Sequence, residues 1–235
     1  MTLGFIFIIL TITAAFALLA SIFFADEIKS TMERDPAAGG YLQVILLYAG
    51  LHAVIFHRIN HRLWQMKLRF VARLFSQVAR IITGIEIHPG AQIGKGLFID
   101  HGTGVVVGET AIVGNNVTLF QGVTLGGTGK ECGKRHPTIG DNVIIGAGAK
   151  VLGNITVNDN SYIGANAVIL KDVPKSATVV GVPGRIARHK GKKVDIMDHA
   201  QVSDPIMRHM RDLIKRVKHL EDRIPDGKDD HDFNI

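Results

Sequence analysis

An aliphatic or small residue recurs at every sixth position through the middle of this chain. Neither the period of an α-helix, about 3.6 residues, nor that of a β-strand, about two, produces this spacing. A six-residue repeat is typical of a parallel β-helix, in which each hexad forms one face of a triangular coil and its aliphatic residue points inward. We therefore expect a mainly β domain over residues 84–187, with slightly more than four turns. The thirteen repeat positions are Ile87, Ile93, Ile99, Val105, Ala111, Val117, Val123, Ile139, Ile145, Val151, Val157, Ile163 and Ile169.

The repeat is interrupted between Val123 and Ile139. The intervening residues do not fit one hexad, so we expect 124–138 to leave the coil as an extruded loop. Loops on a rigid scaffold often carry function, and abundant glycine beside basic residues indicates close approach to a ligand. A plain solvent-exposed loop is the alternative. The basic residues of this segment are Lys130, Lys134, Arg135 and His136.

The N-terminal segment, residues 1–25, differs from the rest of the chain. No charged side chain occurs from Leu3 to Ala25. As a helix this run is roughly 34 Å long, close to the thickness of a bilayer's hydrocarbon core. It lacks the preceding basic residues and the cleavage site of a signal peptide. Lys29 and Arg34 follow it, so the positive-inside rule places the bulk of the chain in the cytoplasm. We expect a membrane anchor; a helix buried at an oligomer contact is the alternative.

The segments on either side of the repeat are expected to be helical. Residues 26–83 carry an amphipathic pattern, and the apolar stretch Tyr41–Phe56 within them is expected to be a soluble helix. Residues 188–235 continue a basic run, Arg185–Lys193, into an amphipathic helix and a polar, flexible tail. The basic run is either a solvated face or a site for phosphate groups.

A C-terminal helix is expected to begin after Asp204, a suitable N-cap, with Pro205 in its first turn. Its apolar residues alternate spacings of four and three, which is a short heptad pattern. Three copies could form a coiled coil, or the helix could pack on its own β-helix. The apolar positions are Ile206, Met210, Leu213, Val217, Leu220 and Ile224.

Composition narrows the classes of function. The formal net charge of +6 favours an anionic partner, such as a phosphate-bearing cofactor or an acidic membrane surface. Aromatic residues are too few for a nucleic-acid stacking platform. The single cysteine, Cys132, excludes an internal disulfide framework and fits a reducing compartment. His101 and His136 lack a suitably spaced third histidine, so we expect no zinc site.

Eight short motifs stand out along the chain, and together they resemble the serine O-acetyltransferases, a family of hexapeptide-repeat acyltransferases. The resemblance implies a left-handed β-helix that assembles as a homotrimer. It also implies transfer of acetyl from acetyl-CoA to the hydroxyl of L-serine, giving O-acetyl-L-serine and CoA, in the first step of cysteine biosynthesis. The motifs are Arg34–Ala38, Gly50–Ala53, Ile87–Pro89, Ile99–His101, Val107–Thr110, Val123–Lys130, Arg135–Pro137 and Gly181–Pro183.

The chemistry of that reaction calls for a base near the serine hydroxyl. His101 matches the family's catalytic position, and an imidazole suits this role at neutral pH. The carboxylate that orients it aligns with Glu86, where many relatives carry aspartate. A structural histidine and a plain surface glutamate are the alternatives. No covalent intermediate is implied, so Cys132 is expected to be incidental.

Substrate serine carries an ammonium and a carboxylate, and the resemblance assigns groups to both. Asp35 and Asp100 would hold the ammonium, although Asp35 could instead cap a helix before Pro36. Arg135 and His136 would hold the carboxylate, which suits the forked guanidinium. Backbone N–H groups near Gly127 would stabilise the oxyanion.

The co-substrate acetyl-CoA is expected in a groove between neighbouring β-helices. The matching positions are Gly127, Ala147, Ala165 and Thr178, while Arg185 is a candidate phosphate contact by charge alone. Tyr162 replaces a residue that is basic in some relatives.

The resemblance also raises two questions of assembly. Trimers could pair into a dimer of trimers, and the C-terminal Ile235 could insert into O-acetylserine sulfhydrylase, as in many family members. Two other functions are open: a hexapeptide acetyltransferase for another hydroxyl acceptor such as a sugar, and a regulatory scaffold for the sulfhydrylase.

Overall fold

The computed structural model describes residues 2–129, 132–189 and 205–221. Five helices precede the β-helix and a sixth follows it. The helices are α1 (Thr2–Phe23), α2 (Ala25–Arg34), α3 (Tyr41–Leu47), α4 (Ala49–Gln65), α5 (Arg69–Thr83) and α6 (Pro205–Glu221). The last of these confirms the expected C-terminal helix.

Three parallel sheets form the faces of a triangular prism, which confirms the parallel β-helix predicted from the repeat. A final strand, β15 (Arg185–His189), pairs antiparallel with the last strand of sheet C. Sheet A contains β1 (Glu86–Ile87), β4 (Val106–Val107), β7 (Thr124–Gly126), β10 (Lys150–Leu152) and β13 (Val168–Ile169). Sheet B contains β2 (Gln92–Ile93), β5 (Ile112–Val113), β8 (Thr138–Ile139) and β11 (Thr156–Val157). Sheet C contains β3 (Phe98–Asp100), β6 (Thr118–Phe120), β9 (Ile144–Ile145), β12 (Tyr162–Ile163) and β14 (Ala177–Val180).

Aliphatic side chains stack along the axis of the prism and form its core. On sheet A the ladder runs through Ile87, Val107, Leu125, Val151 and Ile169, all of them buried. Sheet A has five strands, as the thirteen hexads predict. Strand β14 of sheet C adds one further face after the last recognisable hexad, so the prism makes about five turns, slightly more than expected.

The register of the first turn differs from that of the others. Ile87 pairs with Val107, twenty positions later, whereas Val107 pairs with Leu125, eighteen positions later. The prediction that Val105 lies in register with Ile87 was therefore wrong by two positions. Both Val105 and Val107 point inward, since each hexad buries two residues two positions apart, and spacing alone does not distinguish them.

The interruption of the repeat is shorter than expected. Thr124–Gly126 belongs to sheet A and Thr138 begins β8, so the extruded loop covers residues 127–137. It leaves the prism at the edge between sheets A and B. Lys130 lies outside the described residues.

The N-terminal helices are attached to the prism by polar contacts. Ser30 Oγ and Arg34 Nη1 both donate to the carbonyl of Gly96, and Arg34 also donates to Thr118 Oγ1. Arg58 bridges Glu27 of α2 and the carbonyl of Gly94. These bonds fix α2 and α4 relative to the β-helix.

The apolar stretch Tyr41–Phe56 is not one helix, as expected, but parts of two. α3 and α4 meet at Tyr48, which has an extended backbone conformation, and their axes differ by 64°. The Tyr48 side chain at this break donates a hydrogen bond to Asp35, which follows α2.

Helix α1 is long and apolar enough to cross a membrane over Gly4–Phe23, with a mean hydropathy of 2.6. Most of its described side chains are exposed. Toward its end, Ala17 packs against the small core formed by α2, α3 and α4.

The C-terminal segment is described only in part. Side chains Leu213, Val217 and Leu220 of α6 are exposed. The rest of the heptad pattern, the end of the basic run and the tail with Ile235 lie outside the residues whose side chains are described.

Candidate active site

The edge between sheets C and A carries the proposed catalytic histidine. At the other turns of this edge a regular corner joins the sheets, but after Asp100 two extra residues, His101 and Gly102, are inserted. Both have positive φ, 55° and 68°. A Cβ on Gly102 would lie 2.4 Å from Ile85 Cδ1, so both the conformation and the space require glycine. The insertion accounts for the longer first turn and leaves the His101 side chain 77 % exposed outside the coil.

Two carboxylates and a tyrosine lie close together beside this edge. Asp35 follows α2, its Oδ1 accepts the backbone N–H of Ala37 at 2.8 Å, and its Oδ2 accepts the hydroxyl of Tyr48 at 2.6 Å. Burial, the hydrogen bond to Asp35 and the charges of Asp35 and Asp100 raise the pKa of Tyr48 to about 12. Asp35 therefore caps the turn after a helix and also faces the Asp100 side of the site.

The carboxylate nearest to His101 belongs to Asp100. His101 Nε2 lies 3.9 Å from Asp100 Oδ1. Glu86, on β1, forms an ion pair of 3.1 Å with Arg80 of α5. Within the part of the chain that the structure describes, no Glu86 oxygen lies within 4.0 Å of the His101 ring nitrogens.

The edge between sheets A and B carries the basic end of the extruded loop. Thr110 holds this end of the loop in place through hydrogen bonds. Its Oγ1 accepts the backbone N–H groups of Arg135 and His136 at 3.1 and 3.2 Å. Its carbonyl accepts Lys134 Nζ at 2.7 Å. Arg135 Nη2 lies 3.5 Å from a carboxylate oxygen of Glu109.

The protonation of His136 is determined by these contacts. Its Nδ1 accepts the backbone N–H of Thr110 at 3.2 Å and lies 2.8 Å from Thr110 Oγ1, so the ring proton is on Nε2. Burial and the charges of Arg135 and Lys134 lower the pKa of His136, while Glu109 raises it. The ring packs against Gly108, where a Cβ would lie 2.1 Å from Nε2. His136 is thus a neutral side chain with a hydrogen-bond donor at Nε2.

The positions expected to bind acetyl-CoA fall into three places. Ala147 and Ala165 occupy successive corners of the C–A edge, linked by a hydrogen bond from Asn166 N to the Ala147 carbonyl. They lie on the same edge as His101. Thr178 and Arg185 lie at the last turn, on β14 and β15. Gly127 lies at the A–B edge, with its Cα beside the side chain of Arg135.

A single chain therefore holds two groups of site residues on different edges. Asp35, Asp100 and His101 are together at the C–A edge. Arg135 and His136 are together at the A–B edge, at the opposite ends of the sheet A strands. One prism does not bring the two groups together.

Sequence comparison agrees with this architecture. The family profile "Bacterial transferase hexapeptide (six repeats)" matches residues 136–171. The serine acetyltransferase of Bacillus subtilis (strain 168) is 55 % identical over 205 residues, covering 87 % of this chain and 94 % of the relative. That of Staphylococcus xylosus is 58 % identical over 194 residues, covering 82 % and 90 %. The chain belongs to the serine acetyltransferase family.

Solved serine acetyltransferases share the fold. The Vibrio cholerae O1 structure superposes with a TM-score of 0.74 at 44 % identity, covering 78 % of this chain and 72 % of that one. The Neisseria gonorrhoeae enzyme in complex with serine gives 0.69 at 46 % identity, covering 73 % and 70 %. A serine acetyltransferase complex with CoA gives 0.66 at 45 % identity, covering 69 % and 67 %.

Four residues of this candidate site were not assigned a role from the sequence: Tyr48, Arg80, Glu109 and Thr110. Glu109 and Thr110 lie in the motif Val107–Thr110, so a signal for them was present. The sequence carried no signal for Tyr48 and Arg80, since each side chain acts through a partner outside its own helix.

Proposed function

We propose that this enzyme transfers the acetyl group of acetyl-CoA to the hydroxyl of L-serine, giving O-acetyl-L-serine and CoA in the first step of cysteine biosynthesis. Relatives at 55 and 58 % identity support it, as do solved family members with serine and with CoA. The observation that carries the proposal is that acidic and basic site residues lie on different edges of the prism. A carboxylate pair on one edge suits the ammonium of an amino acid, and an arginine and a neutral histidine on another suit its carboxylate.

In the proposed mechanism His101 is the general base. Its ring nitrogen takes the proton of the serine hydroxyl as the oxygen attacks the thioester carbonyl. The tetrahedral intermediate collapses, the carbon–sulfur bond breaks, and the departing CoA sulfur takes the proton back from the imidazolium. Asp100, 3.9 Å away, stabilises that imidazolium. The role of Glu86 as the orienting carboxylate stays a prediction, because its carboxylate pairs with Arg80 in this structure.

The remaining site residues bind and orient the substrates. Asp35 and Asp100 hold the ammonium of serine. Arg135 and the Nε2–H of His136 hold its carboxylate. Backbone N–H groups at Gly127 stabilise the oxyanion.

Acetyl-CoA is proposed to lie along the C–A edge. There the small residues Ala147 and Ala165 let the pantetheine approach the backbone, and Thr178 and Arg185 contact the distal end. This path leads to His101, which lies on the same edge two turns below Ala147.

A homotrimer is proposed as the active unit, since its neighbouring prisms can place the C–A edge of one chain against the A–B edge of the next. Pairing of trimers and capture of Ile235 by O-acetylserine sulfhydrylase stay predictions. The proposed domain division is an anchor at 1–25, a helical region at 26–83, a catalytic β-helix at 84–187 and a C-terminal region at 188–235. The exposed apolar surface of α1 supports membrane anchoring, with the catalytic part in the cytoplasm.

The test is thiol release from acetyl-CoA with L-serine, comparing the wild type with His101→Ala. We expect serine-dependent release that falls by about 10² to 10⁴ in the variant. Turnover with a sugar or homoserine but not with serine would refute the substrate assignment. Unchanged turnover in the variant would refute the assignment of the base.

A further inference from the structure

A cavity of about 860 Å³ opens where the apolar helix α1 ends and the helical region begins. It lies between the junction of α1 with α2 and the C-terminal half of α4. None of its lining residues belongs to the acetyl-transfer site. Its principal lining residues are Phe23, Phe24, Arg58, Ile59, Arg62 and Leu63.

The lining of this cavity has two chemical halves. Phe23, Phe24, Ile59 and Leu63 are apolar, whereas two guanidinium groups, His61 and Gln65 are polar. None of the described residues that line the cavity is acidic. An apolar wall beside an uncompensated positive charge is complementary to an amphiphilic anion.

The two arginines are not equivalent. The Arg58 guanidinium already donates hydrogen bonds to Glu27 and to the carbonyl of Gly94. The side chain of Arg62 is exposed and forms no hydrogen bond or ion pair with any residue that the structure describes. Arg62 is therefore free to bind an anion, and its planar fork suits the oxygens of a phosphate.

The position of the cavity indicates the source of that anion. Phe23 is the last residue of the candidate membrane span Gly4–Phe23 and also lines the cavity. A helix that spans a bilayer ends at the headgroup layer, so the cavity opens at the depth where lipid phosphates lie. Basic pockets at the cytoplasmic ends of membrane helices bind anionic headgroups.

We propose that this cavity binds one anionic glycerophospholipid, with its phosphate on Arg62 and the start of its acyl chains against Phe23, Ile59 and Leu63. The lipid would join α1 to α4 and so fix the orientation of the catalytic prism relative to the membrane. The proposal rests on the membrane placement of α1 and not on the acetyl-transfer reaction.

The test uses the full chain, purified in a non-ionic detergent and mixed with phosphatidylglycerol or with phosphatidylcholine. Native mass spectrometry counts the lipids retained per chain. We expect preferential retention of phosphatidylglycerol, and Arg62→Gln should reduce its occupancy about fivefold or more. The matched control is Lys67→Gln, which removes an equal charge from an exposed residue outside the cavity. Ile59→Asn, at a side chain 55 % exposed, should also reduce retention without unfolding the protein.

Four outcomes would overturn the proposal. Equal losses in Arg62→Gln and Lys67→Gln would indicate general surface charge. Equal retention of the two lipids would remove the role of the anion, and complete displacement by inorganic phosphate would indicate a site for a free anion. Serine-dependent CoA release by Arg62→Gln, measured in parallel, separates this proposal from the catalytic one. Recovery of the wild type in the detergent-free soluble fraction would refute the membrane placement and this site with it.

Discussion

At the scale of single residues, Tyr48 is the least expected member of the site. Its hydroxyl donates to Asp35 at 2.6 Å, and Asp100 also lies close enough for its charge to raise the pKa of Tyr48. The phenol therefore stays protonated and fixes one oxygen of the Asp35 carboxylate. The N–H of Ala37 fixes the other, so the carboxylate is oriented before the substrate arrives.

Replacing Tyr48 with phenylalanine removes that hydroxyl while preserving the ring. We expect the KM for serine to rise about tenfold to a hundredfold, because a hydrogen bond to a charged group contributes about 1.5 to 3 kcal/mol. The kcat and the KM for acetyl-CoA should change little. Steady-state kinetics measure this, with Tyr41→Phe at an exposed position as the control. A fall in kcat with an unchanged serine KM would contradict a role in positioning Asp35.

Two histidines, the buried His57 of α4 and the half-buried His88, should make stability depend on pH. Burial lowers the pKa of His57 to about 3, and burial followed by the charge of Arg73 lowers that of His88 to about 4. The unfolded chain takes up protons on both below about pH 6.5. Because the folded chain does not, stability is greatest above pH 6.5 and falls as the pH drops toward 4.

Denaturant unfolding between pH 7 and pH 4, at fixed protein concentration, measures this dependence. His57→Gln should make the decline shallower, since it removes one of the two groups. His219→Gln, at an exposed position of α6, should leave the slope unchanged. An unchanged slope in His57→Gln would contradict the assignment.

At the scale of elements, the six-residue repeat predicted the β-helix because every inward position obeys one packing rule. The same rule did not reveal the insertion at His101 and Gly102, because inward-facing residues on both sides of it still fit a six-residue spacing. Val105 satisfies the spacing although Val107 is the residue in register with Ile87. The residues that depart from the repeat carry the proposed chemistry, so the pattern located the scaffold better than the site.

Contacts between separate structural elements explain the other differences between the sequence and the structure. The break between α3 and α4 has no helix-breaking residue at Tyr48; the hydrogen bond to Asp35 occurs there instead. Likewise, the pair of Glu86 with Arg80 joins a strand to α5, and periodicity carries no information about it. The motifs Ile99–His101 and Arg135–Pro137 predicted which edges of the prism carry the candidate site residues. They did not predict which edges of neighbouring chains meet in the proposed trimer.

The insertion can be tested with a pair of glycines. Gly102 and Gly104 both have positive φ, 68° and 76°, so alanine at either should cost about 1 to 2 kcal/mol. A Cβ at Gly102 also meets Ile85 at 2.4 Å, whereas at Gly104 its nearest neighbour lies at 3.7 Å. We expect Gly102→Ala to lose more stability and to reduce kcat, because it displaces the adjacent His101. Thermal unfolding and kinetics of both variants measure the difference. Equal losses in the two variants would show that the contact with Ile85 does not hold the insertion in place.

At the scale of the whole molecule, the two halves of the site lie on different edges of one prism. His101 and Asp100 follow sheet C, while Arg135 and His136 precede β8 of sheet B. In a cyclic trimer each chain offers one of its edges to each neighbour, so three identical sites form, each shared by two chains. The long and rigid β-helix suits this arrangement because its edges keep a fixed separation.

Mixed trimers provide a direct test of shared sites. His101→Ala lacks the base on one edge, and Arg135→Ala lacks the carboxylate anchor on the other, so each variant alone should be nearly inactive. When the two are co-expressed in equal amounts, a site is intact wherever a chain with His101 faces a neighbour with Arg135. Random assembly makes about a quarter of the sites intact, so about a quarter of the wild-type activity should return. Co-expression of His101→Ala with Asp100→Ala, two changes on the same edge, is the control and should restore nothing. If the first pair also restored nothing, while size-exclusion chromatography showed mixed trimers, the complete site would have to lie within one chain.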